Sequence, residues 1–141
     1  MSSLSRARSG RSRHQQGRVR DERGAASIEL VILLPALFAV MFLGTQAALI
    51  YHARSIAIAA AQEGARAAGA EGAVARDGTA AARSYLADTG TDALKGTSTR
   101  ASRTATTATV TVTGRSLSVI PGWHPTIRQH ASLPVERVTA P

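Results

Sequence analysis

A chain of 141 residues has room for one modest domain, and an aromatic content of 4% leaves few of the large side chains that build cores and catalytic clefts. The absence of cysteine excludes a disulfide framework, a thiolate metal site and a Cys nucleophile. A formal charge of +8 suggests a nucleic-acid or acidic-lipid partner until its distribution is read: seven arginines between Met1 and Gly24, against Asp21 and Glu22, carry +5 of it.

This basic leader, 1–24, is rich in Ser, Arg, Gly and Gln, has almost no apolar residues and no helical periodicity, and is expected to stay solvated and flexible. The chain then changes abruptly. From Leu30 to Ile50 no charge occurs across 21 residues, enough at about 1.5 Å per residue to cross a hydrocarbon layer of about 30 Å. A transmembrane helix is expected over 25–50, with Pro35 kinking it and Gly44, Thr45 and Gln46 softening its apolar character near the far end. Cationic flanks are retained in the cytoplasm, so the leader is expected inside and the C-terminal region outside, in a single pass.

Tyr51 to Ala68 has high helix propensity and no proline, so the membrane helix is expected to continue as one rod into an extracytoplasmic helical region, 51–95. Small residues recur along it in two rows, Ala53, Ala57, Ala61, Ala65, Gly69 and Ala60, Gly64, Ala68, Gly72, which permit close helix packing. With 16 alanines among residues 51–100, such rows also arise by chance. Glycines 69, 72 and 78 are expected to end the rod, and Thr79 to Leu86 to form a short second helix capped by Asp77 or Thr79.

From Gly96 the composition turns to Thr, Ser and Val, marking a small β region, 96–141. Thr106 to Thr113 alternates as a half-buried strand does, Gly114-Arg115 is a plausible turn, Ser116 to Ile120 alternates again, and Pro121-Gly122 breaks the pattern. Gln129 to Val138 supplies a last strand, whose Pro134 favours an edge or a bulge. The expected fold is α+β and pilin-like in outline: a long N-terminal helix, a short second helix and a small antiparallel sheet.

The residues that point to function stand at the junction of leader and span. Glu29 lies at the start of the apolar helix, where an ionisable side chain is costly and therefore a functional candidate. Were the bond after Gly24 cut, Ala25 would carry a new α-amino group four residues from Glu29, on the same side of a helix, within reach in its own chain or a neighbour's. A glycine, a break, four residues, a glutamate and a long apolar helix form the pattern on which prepilin peptidase acts in type IV pilins and pseudopilins.

Residues Glu22 to Ala68 closely resemble the TadE-like family of tight-adherence (Flp) pilus loci. Glu22, Arg23, Gly24, Ala25, Glu29 and Pro35 match its start, and Glu63, Gly64, Ala65, Arg66, Ala67 and Ala68 match its trailing stretch. The resemblance implies a non-enzymatic minor pilin or pseudopilin, a membrane-anchored component of tight-adherence pilus assembly or a related secretion system. It makes Gly24 and Ala25 the processing site, Glu29 the assembly or recognition carboxylate, and prepilin peptidase, other pilins and pilus-assembly membrane proteins the partners. No cofactor is implied. Many type IV pilins have Phe at the first mature position where this chain has Ala25, which leaves methylation of the amine open.

Other readings compete. Glu29 also suits the water boundary of an uncleaved signal anchor on a cell-surface protein with no pilus role, and a secretory signal peptide would be cut at a poor Thr45-Gln46-Ala47 site. An enzyme is disfavoured, since no P-loop, G-x-S-x-G or dinucleotide fingerprint occurs. His14, His52, His124 and His130 match no standard zinc spacing, so no metal site is expected. The positive-inside role of the arginines accounts for the leader without nucleic acid.

Overall fold

The computed structural model describes residues 15–90 and 92–137, with side chains from Ile28 onward. Five elements follow in chain order: α1 (Gln15–Gly69), α2 (Ala75–Thr89), β1 (Leu94–Arg103), β2 (Thr107–Ser116) and β3 (Thr126–Pro134). The strands form one antiparallel sheet in the order β1-β2-β3. The α+β architecture, with one long helix, one short helix and a small antiparallel sheet, agrees with the sequence.

The long helix runs unbroken through Pro35 for 55 residues. It starts earlier than expected, because Gln15 to Gly24 are helical where a flexible leader was anticipated. Arg, Gln and Glu are good helix formers, and residues joined to an existing helix extend it without a new nucleation cost. The first 14 residues of the leader, His14 among them, lie outside the described residues.

The chain divides into Met1–Met41 and Phe42–Pro141. In the second unit, α1 and α2 cover one face of the sheet. The core gathers Ile56 and the alanines at 53, 57, 60, 61 and 65 of α1, Ala82 and Leu86 of α2, and Leu94, Val110, Val112 and Ile127 of the sheet. Both small-residue rows are buried from Ala53 through Gly69, whereas Gly72, at the end of the second row, is exposed.

The reason for small residues is a close crossing of α1 and α2. A Cβ placed on Gly64 would stand 2.6 Å from the Gly78 carbonyl oxygen, and one placed on Gly78 would stand 2.7 Å from the Gly64 carbonyl oxygen. Val110 of β2 closes the same spot, 3.1 Å from either added Cβ. Two helices and the central strand therefore meet where neither helix has a side chain.

Helix α2 begins at Ala75, four residues before the expected Thr79. Asp77 caps it from the third helical position, its carboxylate accepting the Val74 amide at 2.8 Å, and Thr79 donates back to the Arg76 carbonyl from inside the helix. Gly78, expected among the residues that end the first rod, lies within α2.

In the sheet, β2 is the central strand and alternates buried with half-buried residues. It does not turn at Gly114-Arg115 but continues to Ser116. Gly114 lies opposite a register shift between Lys95 and Ser98 of β1, where an added Cβ would meet Leu94 Cδ2 at 2.8 Å. A glycine in a strand marks a bulge or a close approach as readily as a turn, and here the bulge and the close approach coincide. Ser116 to Ile120 is not a strand beyond its first residue, and β3 starts at Thr126, three residues before the expected Gln129. Pro134 ends β3, which is an edge strand.

Replacing Gly64 or Gly78 by Val forces helix backbones apart and should cost about 1–3 kcal/mol or more. Gly44→Ala, with nothing within 4 Å of the added Cβ, should leave stability unchanged. Thermal unfolding of the detergent-solubilised chain, followed by circular dichroism, checks the contrast; equal midpoints for all three would refute the crossing.

Candidate processing and assembly segment

Gly24, Ala25 and Glu29 all lie on α1, so the structure places the sequence-derived site residues on a single helical backbone. From Ala25 to Glu29 the axial rise is about 6 Å, about one turn, which puts the two positions on one side. The Glu29 side chain is exposed and forms no ion pair among the described residues.

After Glu29 the helix is apolar all round and unburied. Every residue from Leu30 to Thr45 is exposed, including Leu37 at 67% and Val40 at 68%. A helix apolar on every side belongs in a core or a membrane, and this stretch is not in a core. It is the one helix among the described residues long and apolar enough to cross a bilayer, which makes it suitable as a single-pass anchor.

The exposed stretch ends at Gln46, only 2% exposed. Its Oε1 accepts hydrogen bonds from the Val119 amide and the Ser118 hydroxyl, each at 2.9 Å, and its Nε2 donates to the Leu117 carbonyl at 3.4 Å. A polar side chain at the end of an apolar run thus ties the loop after β2 to α1. Beyond Gln46, β2 lies antiparallel to the helix, with Val110 against Gly64 and Ala108 near Gly69. The lengths are comparable: the 23 steps of helix from Gln46 to Gly69 rise about 35 Å, and the nine steps of extended chain from Ala108 to Leu117 span about 30 Å.

The far end is tied as well. The Glu136 amide donates to the Gly69 carbonyl at 2.8 Å, satisfying one of the last carbonyls of α1. The Arg103 guanidinium donates to the Ala70 and Ala73 carbonyls and holds the connection between the helices.

In the trailing Glu63–Ala68 stretch, Gly64, Ala65 and Ala68 are buried. Arg66 is exposed and pairs with Glu63 on the same helix, an arrangement worth at most a few tenths of a kcal/mol. The glycine and alanines of this motif are therefore packing residues, and its charges are solvated.

Residues 24–66 match the family model described as TadE-like protein. Over that segment the chain is similar to the TadE-like family. The match begins at Gly24 and takes in Glu29, the whole exposed apolar stretch, Gln46 and the Gly64 crossing, so the resemblance seen in the motifs holds over this region. No curated protein and no solved structure matches the chain.

Sequence reasoning passed over Gln46 as an anchor, Gly78 as the partner of Gly64, and Arg103. A glutamine near the end of an apolar run carried a signal, since a buried amide needs partners; the identity of those partners, 71 to 73 residues away, did not show in the pattern. Gln46→Leu keeps the apolar volume but leaves the Val119 amide without its acceptor, while the Ser118 hydroxyl retains the Ile120 carbonyl. It should cost about 1–3 kcal/mol and speed amide exchange at Val119, measured on the full chain in detergent; unaltered exchange would show that the tie is not formed.

Proposed function

We propose that this chain is a membrane-anchored, pilin-like subunit of the tight-adherence (Flp) type, cut after Gly24 by prepilin peptidase and assembled through lateral packing of its N-terminal helix. One observation carries the reading: the TadE-like match starts at Gly24 and covers an apolar helix that is exposed on every side. An unburied apolar rod joined to a small folded unit is built for a lipid environment or for bundling with similar rods. A structural role is what similarity to the TadE-like family supports.

On this reading the arginine-rich leader stays in the cytoplasm, and the unit from Gln46 onward lies outside. Cleavage gives Ala25 a free ammonium group at a helix N-terminus, and the Glu29 carboxylate one turn on is placed to meet it or the ammonium of an adjacent subunit. In the apolar layer such a pair is far stronger than in water, so it favours one axial register between neighbouring subunits. The bond to be cut lies within α1, so the local helical hydrogen bonds must open before a protease can reach it. Gly24 eases that opening, because glycine weakens a helix by about 1 kcal/mol relative to alanine.

The secretory signal-peptide alternative fares poorly, since a cut at Thr45-Gln46-Ala47 would remove the side chain that ties Leu117–Val119 to the helix. The uncleaved signal anchor is separated by experiment. N-terminal sequencing of the membrane-extracted protein, from cells with active prepilin peptidase, should give a chain starting at Ala25, and Gly24→Leu should leave it uncut. An intact leader in the unsubstituted chain would sink the processing assignment.

Glu29→Ala tests the carboxylate separately. Cleavage should survive, and co-purification with other pilus proteins should fall; undiminished co-purification would remove the assembly role.

A further inference from the structure

The loop between β2 and β3 runs Leu117-Ser118-Val119-Ile120-Pro121-Gly122-Trp123-His124-Pro125 and contains no Asp, Glu, Lys or Arg. It is nevertheless open: Leu117 is 39% exposed, Val119 37% and Trp123 47%. Single exposed apolar residues are ordinary on a protein surface, but here three occur within seven residues of one uncharged loop.

The loop is also well built. The Ser116 amide donates to the Pro125 carbonyl at 3.0 Å and closes its base. Ser118 Oγ accepts the Ile120 amide at 3.0 Å, and the Trp123 amide donates to the Ile120 carbonyl at 3.2 Å across the Pro121-Gly122 corner, where Gly122 adopts φ +77°. Proline followed by a positive-φ glycine is the chemistry of a type II turn, so the tip that carries Trp123 has a defined shape.

Its position is fixed by Gln46, which holds Leu117, Ser118 and Val119 against α1. Within the turn of helix before Gln46, Phe42 and Leu43 are 48% and 61% exposed. The apolar loop thus stands at the level where the folded unit gives way to bare apolar helix.

We propose that the Leu117–Pro125 loop docks on the lipid interface, with Trp123 at headgroup depth and Leu117 and Val119 against the upper acyl chains. The proposal rests on α1 being a membrane anchor. Tryptophan suits this layer because its ring is apolar and its N–H can still meet water or a headgroup. Tyr51, exposed just past Gln46, supplies a second aromatic near the same level. Docking would give the folded unit two attachments to the membrane, the helix and the loop, and so limit its tilt against the bilayer plane.

Trp123 is the chain's only tryptophan, which makes the test direct. The full-length chain is reconstituted into phosphatidylcholine vesicles, with bromine on the lipids placed near the headgroup or deep in the acyl chains. Trp123 emission should shift to shorter wavelength relative to Trp in water and be quenched more by the shallow bromine than by the deep one. Two variants in a Trp123→Phe background calibrate it. Phe38→Trp should be quenched by deep bromine, which establishes that the helix is in the bilayer, and Ala105→Trp, in the β1–β2 turn, should not be quenched by either.

Quenching of the Phe38→Trp probe without quenching of Trp123 overturns loop docking and leaves the anchor intact. A short-wavelength Trp123 that bromine does not quench means that protein, such as a second copy of the chain, covers the loop, and also overturns it. Failure of the Phe38→Trp probe removes the anchor and the docking together. Equal quenching at Ala105→Trp means non-specific adsorption and likewise overturns the proposal.

Discussion

The folded unit depends on one close approach. Where α1, α2 and β2 converge, the backbones at Gly64 and Gly78 come within reach of each other's missing side chains, and Val110 seals the gap. With so few large apolar residues in its core, the folded unit needs short inter-element distances to gain dispersion contacts. The alanines flanking Gly64 continue the arrangement along α1, and the sheet follows the helix at the separation they set. Larger residues there would lift α2 away and open the core around Ala82 and Leu86.

The same helix changes role along its length. From Leu30 to Thr45 it is apolar and bare; from Gln46 it supplies one side of the core. The switch is made by a polar residue, since an amide buried at a helix surface stabilises only if its partners are delivered to it, and the β2–β3 loop delivers three. A leucine at 46 would extend the apolar run without indicating where the folded unit should begin. Gln46 thus acts as a registration mark between helix and sheet, matched at the other end by the Glu136 amide on the Gly69 carbonyl.

Much of this was legible in the sequence. The apolar run, its continuation as one rod, the short second helix and the Thr/Val strand over 106–113 all follow from local periodicity, which depends on neighbouring residues and survives folding. What escaped depends on distant pairing. Gly114 has the local signature of a turn, and only the opposing bulge in β1 turns it into a strand residue. Strand β1 itself, LKGTSTRASR, has no clean alternation, because its Lys95–Ser98 portion is exposed and irregular. For the candidate site, Gly24, Ala25 and Glu29 are candidates on their spacing next to an apolar helix, and the small-residue rows pack within the chain from Ala53 to Gly69. The helical Gln15–Gly24 stretch was missed because its composition was read without the helix to which it is joined.

A core made so largely of alanine and glycine has a consequence for the entropy of folding. Alanine and glycine have no rotamers to lose, so burying the inner face of α1 from Ala53 to Gly69 freezes almost no side-chain freedom except at Ile56. The modest apolar area is therefore partly offset by an unusually small side-chain ordering cost per residue. The same feature makes the interface brittle: a methyl group cannot change rotamer to accommodate a newcomer, so adjustment must come from the backbones themselves.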